Sequence, residues 1–179
     1  DTKGLCVDIS ERIINEVADY HFSQSGDLKE FLLTDQFLVN TYKARNTNLG
    51  YALHEINRQV SGGQHSNELL NTELFYSIAE SIVADQAIIY EQYSRLQFKK
   101  TETRQSLFRQ LLEAREYMDA HLSDDIHLDQ IIRNAFMSKY HFIRLFKATF
   151  ILSPYQYILR KRLESARVQL LGGSNVTET

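Results

Sequence analysis

Residues 128–171 read LDQIIRNAFMSKYHFIRLFKATFILSPYQYILRKRLESARVQLL, and the order of apolar, polar and punctuating residues in this stretch decides the fold. Leu128, Ile131, Ile132 and Ala135 recur at three and four, the repeat of one helical face about two turns long. After Phe136-Met137, Ser138 is placed to N-cap a second helix that runs through Phe150. Within it Phe142, Leu145, Phe146 and Thr149 share one face, whereas Lys139, Tyr140, Ile143, Arg144 and Lys147 share the opposite one. Ser153 then stands as N-cap with Pro154 at the first helical position, where a missing N–H is no loss, and a long helix follows to Leu171. The reading is a helix, a tight turn, a second helix and a long third one.

The same periodicity extends upstream, so the fold class expected is all-α. Pro154 is the one proline in 179 residues, and long stretches lack breakers. Helices are expected at 10–20, started by Ser10, and at 28–45 and 49–60, closed by the Gly62-Gly63 turn. A longer one is expected over 66–96, where Leu70, Leu74, Ile78, Ile82, Ile89, Tyr93 and Leu96 form a near-heptad stripe broken at Asp85. Another helix must lie on that stripe, either from the same chain or from a second copy. Residues 4–9 are short and β-tolerant and are read as a strand. The polar run Phe98-Lys-Lys-Thr-Glu-Thr103 reads as a connector, followed by a helix whose face is Leu107, Leu111, Met118 and Leu122. The expected organisation is a helical linker or dimerisation region at 1–98, a helix-turn-helix subdomain at 104–171 and a tail at 172–179.

Charge divides the chain in the same place. Residues 1–97 carry 7 Lys+Arg against 14 Asp+Glu, net -7, whereas residues 98–171 carry 13 against 8, net +5. From 131 to 171 Arg133, Lys139, Arg144, Lys147, Arg160, Lys161, Arg162 and Arg167 face only Glu164. A basic block joined to an acidic one is the distribution expected of a phosphate-binding module fused to something else. The lone Cys6 excludes an internal disulfide framework and a thiolate-rich zinc site, and fits a reducing cytoplasm. No apolar run approaches the length of a membrane span.

A basic, aromatic helix face is by itself commonly just a solvated surface. Here it sits on the second helix of a helix-turn-helix, where a helix fits the major groove, early side chains reach base edges and flanking lysines reach phosphates. The run Leu128-x-x-Ile131-x-x-x-Ala135-x-Met137-Ser138-x-x-His141-Phe142-x-Arg144-Leu145-Phe146-Lys147, then Ser153-Pro154-x-x-Tyr157, then Arg162-Leu163-x-x-Ala166-x-x-Leu170-Leu171, resembles the AraC/XylS family of transcription regulators. The joint spacing over more than forty residues carries the resemblance, since each piece alone is weak.

The resemblance implies a sequence-specific regulator of double-stranded DNA, built from two helix-turn-helix units joined by a long helix, with an N-terminal effector and dimerisation region. Residues 138–150 would be the recognition helix and 154–171 the joining helix. DNA contacts are expected from Ser138, Lys139, Tyr140, His141, Ile143, Arg144, Lys147, Arg160 and Arg162. The second unit and a family-type β-barrel are not in the sequence, and Val176-Thr177-Glu178 looks like the start of that second unit. Residues 10–97 resemble the helical segment through which members dimerise, so a homodimer and a small-molecule effector are implied. This chain departs from the family at Ile132, where a small residue is usual, and at Phe136 and Ile151, where glycine is usual.

Several residues admit two readings. Ile143 either touches a thymine methyl or packs. Arg160, Lys161 and Arg162 cannot all face one way, so one of the arginines is expected on a carboxylate or helix end and another on a phosphate. Asp124 and Asp125 favour the N-terminus of the next helix more readily than they bind metal. Glu68, Glu73, Glu80 and Glu91 read as a solvated face, and the ten Tyr and ten Phe read as core before they read as a ligand pocket. His21, His54, His65, His121, His127 and His141 form no HExxH or Glu-x-x-His pattern, so neither an enzyme nor a metal or cofactor protein is expected. The competing function is a helical dimerisation or ligand-sensing module whose DNA-binding part does not hold DNA alone.

Overall fold

The computed structural model of the protein describes residues 7–21, 26–33, 47–61, 72–133 and 137–173. Every element among them is helical, as the all-α reading expects. Residues 7–10 form no strand, which corrects that part of the expected strand at 4–9; an isolated strand has no partner for its backbone groups. By internal contacts the chain divides into two compact units, 1–91 and 92–179.

In the first unit α1 spans Glu11–His21, α2 Gly26–Leu33, α3 Asn48–Ser61 and α4 Thr72–Ser94. The expected extension of α2 to residue 45 and the expected start of α4 at 66 lie outside the described residues. Val17 and Ala18 of α1, Leu28 and Leu32 of α2, and Ala79 and Val83 of α4 form one buried cluster. Phe31, Tyr76 and Tyr90 pack against it, with the Phe31 and Tyr90 rings 5.3 Å apart, so these aromatics are core. The Tyr76 hydroxyl also donates to the Glu16 carboxylate, which lies below the usual carboxylate range chiefly because of that bond.

Asp85, where the apolar stripe of α4 breaks, is buried because it caps another helix. Its carboxylate accepts from the backbone N–H groups of Asn48 and Leu49, at 3.0 and 2.9 Å, and from the Asn48 side-chain amide at 2.8 Å. The Thr47 hydroxyl accepts the Gly50 N–H at 2.9 Å. The first-turn donors of α3, which have no partner within the helix, are thereby satisfied. At this break in the stripe α4 thus meets the N-terminus of α3 of the same chain.

In the second unit α5 spans Thr101–Ala120, α6 Leu128–Arg133, α7 Lys139–Phe150 and α8 Pro154–Leu171. The last turn of α4 packs here: the Tyr93 and Phe108 rings meet edge to face at 5.5 Å, and the Arg104 guanidinium lies 3.9 Å over Tyr93 while donating to the Tyr93 carbonyl. The connector expected at 98–103 is therefore shorter, since α5 starts at Thr101. Its first turn is polar and held by Arg104, so apolar spacing signalled the helix only from Leu107 onward. Phe108, Leu111, Leu112, Ala114 and Met118 of α5 form the core with Ile131 of α6 and with Phe142, Leu145 and Phe146 of α7.

Candidate nucleic-acid interface

α7 begins and ends as its sequence dictates. Ser138 is extended, with φ -68° and ψ 150°, and its hydroxyl accepts the His141 N–H at 3.3 Å. At the other end Ile151 adopts a left-handed conformation, φ 70° and ψ -30°, and its N–H closes the helix on the Lys147 carbonyl at 2.9 Å. A β-branched residue there is strained, because Cβ crowds the following carbonyl, at about 1–2 kcal/mol. This is one of the positions at which the family resemblance anticipates glycine. Phe136 lies outside the described residues, and Ile132 is half-buried.

The inner face of α7 is as expected: Phe142, Leu145, Phe146 and Thr149 are all buried. Phe146 meets Phe142 at 5.6 Å, Phe150 at 4.6 Å and Tyr157 of α8 at 5.8 Å, an aromatic cluster centred on one ring. Arg95 donates to the Thr149 carbonyl at 3.0 Å, and Arg115 lies 5.0 Å over the Phe150 ring. α8 starts with a complete capping box, Ser153 accepting from the Gln156 N–H at 3.3 Å and Gln156 from the Ser153 N–H at 3.0 Å. The Tyr157 hydroxyl then donates to Asp119 of α5 at 2.8 Å; burial, and after it the Asp119 charge, pushes Tyr157 well above the usual tyrosine range. Contacts from α5 and α8 thus fix which way the outer face of α7 points.

That outer face brings together most of the expected site. Tyr140 is 78% exposed, Arg144 and Lys147 are exposed, and none of the three side chains has a hydrogen-bond or ion-pair partner among the described residues. Ser138 is exposed as the cap, whereas His141 and Ile143 are half-buried at its margin. Lys139 is exposed but occupied, its ammonium 2.9 Å from the Asp129 carboxylate of α6. Sequence reasoning did not single out Asp129, because nothing local announces a contact that crosses the turn.

Of the three arginines of α8, Arg160 and Arg162 are both engaged within the protein. Arg160 pairs with Glu164 at 2.9 Å, a bond that holds Glu164 below the usual carboxylate range, and Lys161 reaches the same group at 3.5 Å. Arg162 donates to the carbonyls of Leu122 at 2.8 Å and Asp124 at 2.5 Å, just past the C-terminus of α5. The sequence left a carboxylate, a helix end and a phosphate open for this pair; the carboxylate and the helix end are what they meet. Arg167, also on α8, is exposed. Asp125 lies 3.4 Å from His127. Among the described residues no group of three or more His, Cys, Asp or Glu is placed to hold a metal, and no helix is long and apolar enough to cross a membrane.

A short helix, a second helix with one wholly buried face, and a capped third helix are the arrangement of a helix-turn-helix subdomain, a form met in DNA-binding proteins. Residues 118–159, from the end of α5 into α8, match the bacterial regulatory helix-turn-helix proteins of the AraC family. The regulatory protein PocR of Salmonella typhimurium is 38% identical over 55 residues, which are 31% of this chain and 18% of that protein. The chain thus covers less than a fifth of that relative's length. No solved structure matches the chain. Residues 118–159 are thus similar to the helix-turn-helix of the AraC family, a family of transcription regulators.

Proposed function

We propose that the protein is a sequence-specific transcription regulator that lays α7 in the major groove of double-stranded DNA. The observation that carries this is the division of α7: Phe142, Leu145, Phe146 and Thr149 are buried, while Tyr140, Arg144 and Lys147 stand together in solvent. Arg144, on the second turn, is the base reader, since its planar fork matches the two acceptors on a guanine edge. Tyr140 packs on sugar and base edges, Ile143 lines the margin, and Lys147 reaches phosphate. Ser138, Lys139 and His141 approach the backbone at the N-terminal end of α7. Arg160 and Arg162 serve chiefly to fix α8, and reach phosphate only by leaving the partners they hold. The expected setting is the cytoplasm. Selecting bound duplexes from a random pool, then titrating the winner with salt, tests the reading. A recovered motif, and a logarithmic affinity falling by about 0.9 per phosphate neutralised, is the expected result. A pool that stays random under binding conditions contradicts it.

The helices of the first unit are proposed to dimerise or to sense a small molecule for this DNA-binding part. The support for this reading is the resemblance of residues 10–97 to a helical dimerisation segment; Tyr20, Tyr51 and Ile88 are exposed on these helices. Sedimentation of the chain over a concentration series tests this. A mass equal to one chain throughout contradicts dimerisation.

A further inference from the structure

The outer face of α7 is not uniformly charged. Lys139, at its start, is neutralised by Asp129 across 2.9 Å, whereas Arg144 and Lys147 further along meet no carboxylate among the described residues. Both partners of the pair lie in solvent, with side chains 57% and 73% exposed. Such a pair is weak and readily exchanged. It therefore adds little to the fold, yet it sits on the face that the proposed function turns toward DNA. Lys139 is a flexible point charge that suits any phosphate and carries no sequence information of its own.

We infer that Asp129 lowers the protein's affinity for DNA of arbitrary sequence by occupying Lys139, which leaves discrimination to the residues further along α7. This rests on the reading of α7 as the DNA-binding face. A duplex phosphate must displace the carboxylate before it gains Lys139, so one counterion fewer is released per encounter. A regulator competes against a large excess of wrong sites, so weaker indiscriminate binding raises the useful ratio of specific to non-specific affinity. The carboxylate is lost as a competitor when Asp129 is made neutral.

The test is fluorescence anisotropy of the whole chain on a labelled short duplex of mixed sequence, over a salt series, with Asp129→Asn and Asp129→Ser as two independent neutral variants. Each is expected to bind about two- to fivefold tighter at low salt, with a logarithmic salt slope steeper by about 0.9. In a Lys139→Ala background the gain is expected to vanish, because the effect acts through that ammonium. Unchanged affinity and slope in both variants, or a gain that persists without Lys139, overturns the inference and leaves the reading of α7 standing. That reading has its own control in Arg144→Ala, which must weaken binding whatever Asp129 does. Absence of salt-dependent binding in the parent chain and in every Asp129 variant sinks both.

Discussion

The Tyr157 hydroxyl donates to the Asp119 carboxylate across 2.8 Å and so fastens the first turn of α8 to the end of α5. Because the Tyr157 ring also meets Phe146, this bond governs where α7 and α8 sit together.

Tyr157→Phe keeps the ring and deletes the bond, and is expected to cost about 1–2 kcal/mol of stability. Burial and the Asp119 charge raise the folded-state pKa of Tyr157 above its unfolded value near 10. A raised pKa contributes stability that is whole below the unfolded value and is lost as pH climbs toward the folded one. Urea midpoints of the parent should therefore fall above about pH 10. Those of the phenylalanine variant should fall less, the remainder coming from Tyr93, which burial raises, and from Tyr76, which its bond to Glu16 raises. Parallel pH profiles for the two proteins would contradict this.

Ile151 holds a left-handed conformation at 59% exposure, so it is strained and gains little from packing. Ile151→Gly relieves the strain at the cost of a more flexible unfolded chain, and a net gain of about 1 kcal/mol is expected. Ile151→Val, which keeps the branch at Cβ, should not share it. Thermal melts of the three proteins decide the matter.

The Thr149 hydroxyl is buried without a hydrogen-bond partner among the described residues. An unsatisfied buried hydroxyl is costly, and Thr149→Val supplies a methyl in nearly the same space. Stability equal to the parent's, or higher by up to about 1 kcal/mol, is expected. A marked fall in melting temperature would show that the hydroxyl is used.

Asp85→Ala leaves the first-turn N–H groups of Asn48 and Leu49 without their acceptor, and should cost about 1–2 kcal/mol in the first unit. Hydrogen exchange at those two amides should accelerate first, while amides in the middle of α7 keep their protection. Uniform acceleration along the chain would mean that the effect is not local.

Arg144→Ala should weaken binding to a selected duplex by about 1–3 kcal/mol and relax the preference at one base pair. Measuring it against single-base variants of that duplex distinguishes a base contact from a backbone one. Equal losses on every variant would make Arg144 a phosphate contact.

Much of the second unit was legible from local order. Ser138, Ser153 and Pro154 set the starts of α7 and α8, and three- and four-residue spacing separated the buried face of α7 from its exposed one. These are effects of neighbouring residues on one helix, so the sequence contains them in full. The start of α5 was not legible, because its first turn is polar and bound by Arg104 to a residue eleven positions back.

The chain's own order of residues determined that it is helical, where α7 and α8 begin, and which side of α7 faces inward, since caps and apolar spacing act within a few residues. The tertiary structure alone decided what the polar side chains touch. Asp85 became the cap of α3, Arg162 the brace of the α5 end, and Asp129 the partner of Lys139, each across ten or more positions. A charged side chain has many suitable partners along a chain. Packing of the apolar faces selects among them by bringing distant turns together, and no local rule can anticipate that selection.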